Sequence, residues 1–145
     1  MPLPLSPPPL HPVPAVLAVV IRAAQVLLVQ RANPPDAGFW GFPGGKVDFG
    51  ETLLAAAARE LREETGVTAL AERVFAAVDA YDLAEDGTVR QHFVLIAVLC
   101  RWQQGEPVAA DDALDARWVD LDQIEDQADL SLDVASVARQ AARLG

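Results

Sequence analysis

The chain has 145 residues, of which 52% are hydrophobic and 22% charged, as is typical of one soluble globular domain and unlike a disordered chain. Its 11 Lys and Arg residues against 21 Asp and Glu residues give a net charge of −10 at pH 7. This charge argues against binding to a nucleic-acid polymer or to an anionic membrane surface, because both carry negative charge themselves.

The N-terminus is rich in proline, with seven of the eleven prolines among the first fourteen residues. Because proline removes backbone donors, we expect a Pro-rich N-terminal arm over 1–14, followed by a single domain over 15–145. The arm lacks the basic start of a secretory signal, and the apolar stretch Ala15–Ile21 is too short to span a bilayer. We therefore expect a cytoplasmic protein that does not bind membranes. Cys100 is the sole cysteine and lies in an apolar run, which predicts a buried thiol and no disulfide within the chain.

The first predicted elements are two strands. Val13–Ile21 and Gln25–Arg31 are rich in β-branched residues and are separated by a short link, which predicts a β-hairpin. The prolines, Asn, Asp and Gly of residues 33–38 then predict a loop.

A helix is predicted next, over Thr52–Glu64. Thr52 can cap its start, a run of four alanines favours helix, and Gly66 can end it.

The second half of the chain is predicted to contain three strands and a final helix. The strands are expected at Arg73–Tyr81, Val89–Trp102 and Ala116–Val119, with a turn at Asp86-Gly87 between the first two. Ser131 is predicted to cap a helix that runs to Leu144. Its apolar face would comprise Leu132, Val134, Val137, Ala138, Ala141 and Leu144. This order of elements indicates an α+β fold, with helices packed on a mixed β-sheet.

Three acidic residues of the first predicted helix share one face. Glu60, Glu63 and Glu64 stand at positions i, i+3 and i+4, which brings their carboxylates to one side. A solvated charged face, neutralised by neighbouring arginines, is the ordinary alternative for such a pattern.

The residues before this helix favour a working site over a plain charged surface. Phe42-Pro43-Gly44-Gly45 leads from an aromatic strand end into a predicted turn, and two glycines let a backbone come close to a ligand or metal. Glu51 precedes Arg59 by about two helical turns, so the guanidinium can fold back and pair with this carboxylate. Such an ion pair would tie the loop to the acidic edge.

Taken as a whole, residues 45–67 resemble the Nudix box, Gly-x5-Glu-x7-Arg-Glu-U-x-Glu-Glu-x-Gly-U, where U is apolar. The matching residues are Gly45, Glu51, Arg59, Glu60, Leu61, Glu63, Glu64, Gly66 and Val67. The resemblance implies the family's fold, an α/β/α sandwich with a mixed β-sheet between helices.

The resemblance also implies an activity, which is hydrolysis of a nucleoside diphosphate linked to another group, using Mg²⁺ or Mn²⁺. Carboxylate oxygens suit these hard cations, which neutralise the charge of a pyrophosphate and activate water. By resemblance, the metal ligands are the Gly45 carbonyl with Glu60, Glu63 and Glu64. Glu63 and Glu64, together with the supporting pair of Glu51 and Arg59, form the predicted catalytic set.

The general base stays open between the box and a later acidic segment. Glu63 is the first choice, and Asp111, Asp112 and Asp115, expected in a loop before the last strand, are the alternatives.

Four further residues are predicted to bind substrate, namely Arg31, Phe42, Gly44 and Lys46. Arg31 ends a strand near the glycine turn, and Phe42 could stack on a base or simply pack against the sheet.

The partner is expected to be a small-molecule nucleotide, and the chain is compatible with a homodimer. Its general likeness to short ADP-ribose pyrophosphatases suggests ADP-ribose or a similar nucleotide as substrate. The alternatives are a nucleoside triphosphate pyrophosphatase that removes oxidised or non-standard nucleotides, and a non-catalytic nucleotide-sensing module.

Overall fold

The computed structural model describes residues 10–34 and 36–144. The elements in chain order are β1 (Val13–Arg22), β2 (Gln25–Arg31), β3 (Trp40–Gly41), β4 (Gly44–Lys46), α1 (Leu53–Thr65), β5 (Thr68–Leu83), β6 (Val89–Gln104), β7 (Ala113–Asp120), a 3₁₀ helix (Leu121–Asp126) and α2 (Val134–Leu144). The strands form one mixed sheet in the order β3-β2-β1-β6-β5, with β4 paired to β1 and β7 paired to β2. Strands β1 and β6 run parallel, whereas the other pairs are antiparallel.

The sheet is buried on both faces, and β1 shows why. Val16 and Val20 belong to the core beneath α1, whereas Val19 belongs to the core beneath α2, because side chains alternate along a strand. The buried helical residues in these cores are Ala56, Ala57 and Leu61 from α1 and Val134, Val137, Ala138 and Ala141 from α2. The predicted mixed sheet between helices is therefore confirmed.

Helix α1 begins and ends as predicted. The Thr52 side-chain oxygen accepts a hydrogen bond of 3.1 Å from the Ala55 amide. Gly66 adopts a left-handed φ of 74°, and its N–H donates to the Arg62 carbonyl. The turn between β5 and β6 is also confirmed, since Gly87 takes a φ of 88° there.

The predicted turn at Gly44-Gly45 is wrong, because these residues form strand β4. Gly44 pairs with Leu17 and Gly45 pairs with Val16. A Cβ on Gly44 would lie 2.1 Å from the Val16 carbonyl oxygen. Glycine is needed here for close approach of two strands, and this long-range pairing overrides the local turn preference.

Strand β7 is longer than predicted, which corrects the position of Asp115. This residue lies within β7, opposite Gln30, and not in a loop. The extension follows from pairing with β2, which continues with an irregularity to Arg31 and Ala113.

The start of α2 differs from the prediction. The Ser131 hydroxyl is buried and has no hydrogen-bond partner among the described residues, so its side chain does not cap the helix. Leu132 is 87% exposed and Leu144 is 42% exposed, so both lie outside the apolar face. The helix itself, with Val134 and Val137 buried, is confirmed.

Most of the predicted arm lies outside the described residues, and Val13 and Pro14 belong to β1. The Cys100 thiol is buried as predicted, and burial raises its pKa to about 12. Among the described residues, no helix is long and apolar enough to span a membrane.

Candidate active site

Arg59 ties the loop before α1 to the helix. Its Nε donates to Glu51 at 2.8 Å, and one of its terminal nitrogens donates to the other Glu51 oxygen at 2.9 Å. The same nitrogen donates to the Lys46 carbonyl at 3.1 Å. The ion pair predicted from the spacing of Glu51 and Arg59 is confirmed, and it also reaches strand β4.

This arrangement favours the charged forms of both partners. Hydrogen bonds from Arg59, followed by one from the Asp48 amide, hold the pKa of Glu51 below its usual value. Glu51 in turn raises the pKa of Arg59. The pair therefore stays ionised and can hold the loop geometry.

Glu60 lies directly against Gly45. A Cβ on Gly45 would fall 2.6 Å from the Glu60 carboxyl carbon, so a larger residue here would force this carboxylate to move. The second terminal nitrogen of Arg59 donates to Glu60 at 2.9 Å. Burial raises the pKa of Glu60, and the contact with Arg59 opposes that rise.

Glu64 is the most desolvated carboxylate of the box. It accepts a hydrogen bond of 3.3 Å from the Gly44 amide. Burial raises its pKa to about 8, and the Gly44 hydrogen bond and the charge of Arg31 partly oppose this rise. The charge of Asp112 acts in the same direction as burial. The fold thus brings Arg31 and Asp112, both distant in sequence, into the electrostatic surroundings of Glu64.

The segment between β6 and β7 explains the position of Asp112. The Val108 amide donates to the Thr65 carbonyl and the Ala110 amide donates to the Glu64 carbonyl, both at 2.9 Å. Asp112 accepts a hydrogen bond of 3.0 Å from the Asn33 side chain. Sequence spacing carries no signal for these contacts, which join three separate parts of the chain.

Glu63 is held differently from its neighbours. Its side chain is 47% exposed and accepts a hydrogen bond of 3.2 Å from Arg59. Within residues 10–34 and 36–144, no group of three or more His, Cys, Asp or Glu side chains is gathered closely enough to hold a metal ion. The shared face predicted for the three glutamates is present, but Arg59 holds two of them and the Gly44 amide holds the third.

The donor set nevertheless fits a hard divalent cation. It consists of carboxylate and carbonyl oxygens, which are the ligands that Mg²⁺ and Mn²⁺ prefer. Glu64 is a partly buried carboxylate that accepts a hydrogen bond from the Gly44 amide, and a cation would compensate its charge. The exposed Glu63 would have to exchange its contact with Arg59 for the cation.

The four predicted substrate residues do not all face this edge. The Gly44 amide donates to Glu64, and the charge of Arg31 acts on the same carboxylate. The Lys46 side chain is exposed, and its carbonyl accepts from Arg59. The stacking role predicted for Phe42 is wrong, because the residue is only 6% exposed and packs in the core beneath α2.

Comparison with known proteins agrees with this geometry. Residues 11–140 match the family model described as NUDIX domain. An "ADP-ribose pyrophosphatase" of Methanocaldococcus jannaschii is 36% identical over 115 residues, which cover 79% of this chain and 66% of the relative. An "Oxidized purine nucleoside triphosphate hydrolase" of Danio rerio is 33% identical over 115 residues, covering 74% of this chain and 66% of the relative. The chain thus spans slightly less than two thirds of these relatives.

Solved structures share the fold as well. The NUDIX domain of Shewanella oneidensis NrtR, complexed with ADP ribose, superposes with a TM-score of 0.73 and 26% identity over 93% of this chain and 90% of that chain. A bifunctional NMN adenylyltransferase/ADP ribose pyrophosphatase from Francisella tularensis, complexed with AMP and a Mn ion, gives a TM-score of 0.70 and 29% identity. That match covers 96% of this chain and 44% of that chain.

Proposed function

The chain belongs to the Nudix family, and we propose that it hydrolyses the pyrophosphate bond of a nucleoside diphosphate linked to another group, with the help of a divalent cation. One observation carries the proposal. The Glu60 carboxylate lies against Gly45 and the Glu64 carboxylate lies on the Gly44 amide, so that β4 and the acidic edge of α1 form one site. Packing of a helix on a sheet does not require this coincidence of acids and glycines.

We propose that Glu60, Glu63, Glu64 and the Gly45 carbonyl hold Mg²⁺ or Mn²⁺, which when bound neutralises the phosphoanhydride and lowers the pKa of a water molecule. Glu51 keeps the Arg59 guanidinium in place, and Arg59 orients Glu60. The Mn ion in the related Francisella structure supports the choice of metal.

The proposed general base is Glu63, with Asp112 as the alternative. Glu63 is the exposed glutamate of the box, so it can reach a water molecule at the mouth of the site. Among the three acids of the later segment, Asp112 is the one whose charge acts on Glu64. Asp115 lies in strand β7.

The proposed substrate is ADP-ribose or a similar nucleotide. The Methanocaldococcus relative and the ADP-ribose complex of the Shewanella domain support this choice. Arg31 and the Gly44 amide are the proposed phosphate contacts, because the Gly44 amide donates to Glu64 and the positive charge of Arg31 acts on the same carboxylate. A homodimer and a cytoplasmic location remain predictions.

A second candidate function is hydrolysis of oxidised or non-standard nucleoside triphosphates. The Danio relative, whose name states such an activity, supports this alternative. Both functions would use the same glutamates, so the shape of the nucleoside site must discriminate between them.

A product-release assay tests the proposal. The purified chain is incubated with Mg²⁺ or Mn²⁺ and with ADP-ribose, NADH, diadenosine polyphosphates or a panel of normal and oxidised nucleoside triphosphates. We expect ADP-ribose to give the highest kcat/KM, and an identically purified Glu64→Gln variant controls for contaminating activity. A higher value for a triphosphate would replace the first candidate with the second. Tight binding of ADP-ribose without turnover would indicate a sensing module.

A further inference from the structure

A second charged cluster, away from the Nudix box, lies at the start of the segment 105–112. The Arg22 guanidinium lies over two indole rings, with its central carbon 4.0 Å from the ring centroid of Trp118 and 5.0 Å from that of Trp102. It also donates to the Glu106 carboxylate at 2.6 Å. We call Arg22, Trp102, Trp118 and Glu106 the tryptophan clamp.

The indole nitrogens of the tryptophan clamp hold the same segment. Trp102 Nε1 donates to the Gly105 carbonyl at 2.8 Å, and Trp118 Nε1 donates to the Glu106 carboxylate at 3.3 Å. Arg22 ends β1, Trp102 lies in β6 and Trp118 lies in β7, so three strands converge on two consecutive residues. The start of the segment is thereby fixed to the sheet.

The other end of the segment enters the active site. Beyond Glu106 the chain bonds to the C-terminal end of α1 through the amides of Val108 and Ala110, the second of which donates to the Glu64 carbonyl. The segment then reaches Asp112, whose carbonyl accepts from the Ala32 amide at 2.9 Å. The same piece of backbone therefore links the tryptophan clamp to Glu64 and Asp112.

An exposed ion pair alone would not explain this construction, because such pairs contribute little to stability. Stacking on indoles adds attraction that depends on the planar guanidinium. The hydrogen bonds of the tryptophan clamp are all made to Gly105 and Glu106, at the start of the segment that contains Asp112. Their combined effect is on the position of the segment.

We propose that Arg22 is a positioning residue, which holds the 105–112 segment through the tryptophan clamp and thereby fixes the place of Asp112, two residues beyond the hydrogen bond from the Ala110 amide to the Glu64 carbonyl. This inference rests on the proposed function for its catalytic consequence, but its structural consequence does not depend on catalysis. Loss of the clamp should loosen the segment while the sheet and α1 keep their structure.

Hydrogen exchange of the metal-free protein, followed by NMR, tests the structural part. In Arg22→Gln we expect the amides of Val108 and Ala110 to exchange about tenfold faster, while the Leu61 amide in the interior of α1 is unchanged. Arg22→Lys keeps the charge but not the planar stacking, so its effect should be smaller and of the same sign. If Arg22→Gln does not fold, Arg22→Lys provides the test: the amides of Val108 and Ala110 should exchange faster while that of Leu61 is unchanged.

Arg139→Gln is the matched control. It removes an arginine that pairs with Glu125 between α2 and the 3₁₀ helix and that takes no part in the tryptophan clamp. We expect it to leave the exchange of Val108 and Ala110 unchanged. Equal acceleration in Arg139→Gln and Arg22→Gln would show a general loss of stability and would overturn the proposal.

Kinetics with the best substrate of the panel test the catalytic part. We expect Arg22→Gln to lower kcat about three- to tenfold with KM changed less than about twofold, because misplaced groups act on the reacting geometry. Arg22→Lys should restore part of the loss. Unchanged exchange at Val108 and Ala110, or faster exchange with an unchanged kcat, would overturn the proposal. If the wild-type chain turns over no substrate, the proposed function fails, and the exchange data still decide whether the clamp holds the segment.

Discussion

The two helices pack on opposite faces of one sheet in similar ways, yet they differ in their polar edges. Both bury small apolar residues, such as Ala57 in α1 and Ala138 in α2, against the same strands. In α2 the ion pair between Arg139 and Glu125 is half exposed. In α1, Arg59 alone contacts three glutamates and a backbone carbonyl. Because packing is satisfied in both helices, the charged edge of α1 points to function.

The largest expected effect is that of Glu64→Gln on turnover. Glutamine has nearly the same shape and can still accept from the Gly44 amide, but it removes the charge that a cation needs. We expect kcat to fall about a thousandfold while Tm without metal changes little. Steady-state kinetics and thermal unfolding measure the two, and Arg139→Gln on α2 should leave both nearly unchanged. A Glu64→Gln enzyme with substantial activity would remove this residue from the proposed metal site.

The two glycines of β4 allow an effect on stability to be distinguished from an effect on catalysis. An added Cβ would lie 2.1 Å from a backbone oxygen at Gly44, and 2.6 Å from the Glu60 carboxylate, which can move, at Gly45. We expect Gly44→Ala to destabilise the protein by about 3 kcal/mol. Gly45→Ala should cost about 1 kcal/mol but lower kcat about a hundredfold. Denaturant unfolding and kinetics on both variants provide the measurements, and equal stability losses would contradict this division.

A smaller effect is expected where the two arginines are compared. Arg59→Gln frees Glu51, Glu60 and the Lys46 carbonyl together, so it should lower kcat about tenfold or more and also lower Tm. Arg139→Gln removes one exposed pair and should change neither quantity measurably. Similar Tm losses in both variants would mean that the Arg59 network contributes no more to stability than the exposed pair of Arg139.

The smallest expected difference concerns the starts of the helices. Thr52→Ala removes the hydroxyl that caps α1 and should cost about 1 kcal/mol. Ser131→Ala removes a buried hydroxyl that has no hydrogen-bond partner within the part of the chain that the structure describes, so it should be neutral or stabilising by a few tenths of a kcal/mol. Denaturant unfolding of the two variants checks the contrast, and a loss of stability in Ser131→Ala would show that its hydroxyl has a partner after all.

The contrast between Thr52 and Ser131 also shows what sequence patterns can predict. Both residues precede an apolar periodic segment, and both are good capping residues. The hydroxyl of Thr52 faces the first turn of α1, whereas that of Ser131 lies near Gly41, 3.9 Å from where a Cβ on that glycine would stand. The different outcome follows from how the preceding chain enters each helix, which in α2 depends on the pairing of Trp40 with Leu130.

Those parts of the site that lie close together in the sequence were predictable. The spacing of Glu51 and Arg59 predicted their ion pair, and the spacing of Glu60 and Glu64 predicted a shared helical face. For Phe42 the sequence left two roles open, stacking on a base or packing against the sheet, and its burial in the core decides for packing.

The local amino-acid sequence alone therefore determined α1, its caps and its row of carboxylates, since backbone propensity and helical periodicity act within a few residues. Tertiary structure decided that Gly44-Gly45 is a strand, that the segment leading to Asp112 bonds to the Glu64 carbonyl and that Arg22 lies over two indole rings. Each of these depends on contacts between segments far apart in the chain. Such contacts form only when the sheet buries its two faces, and no pattern within one segment specifies them.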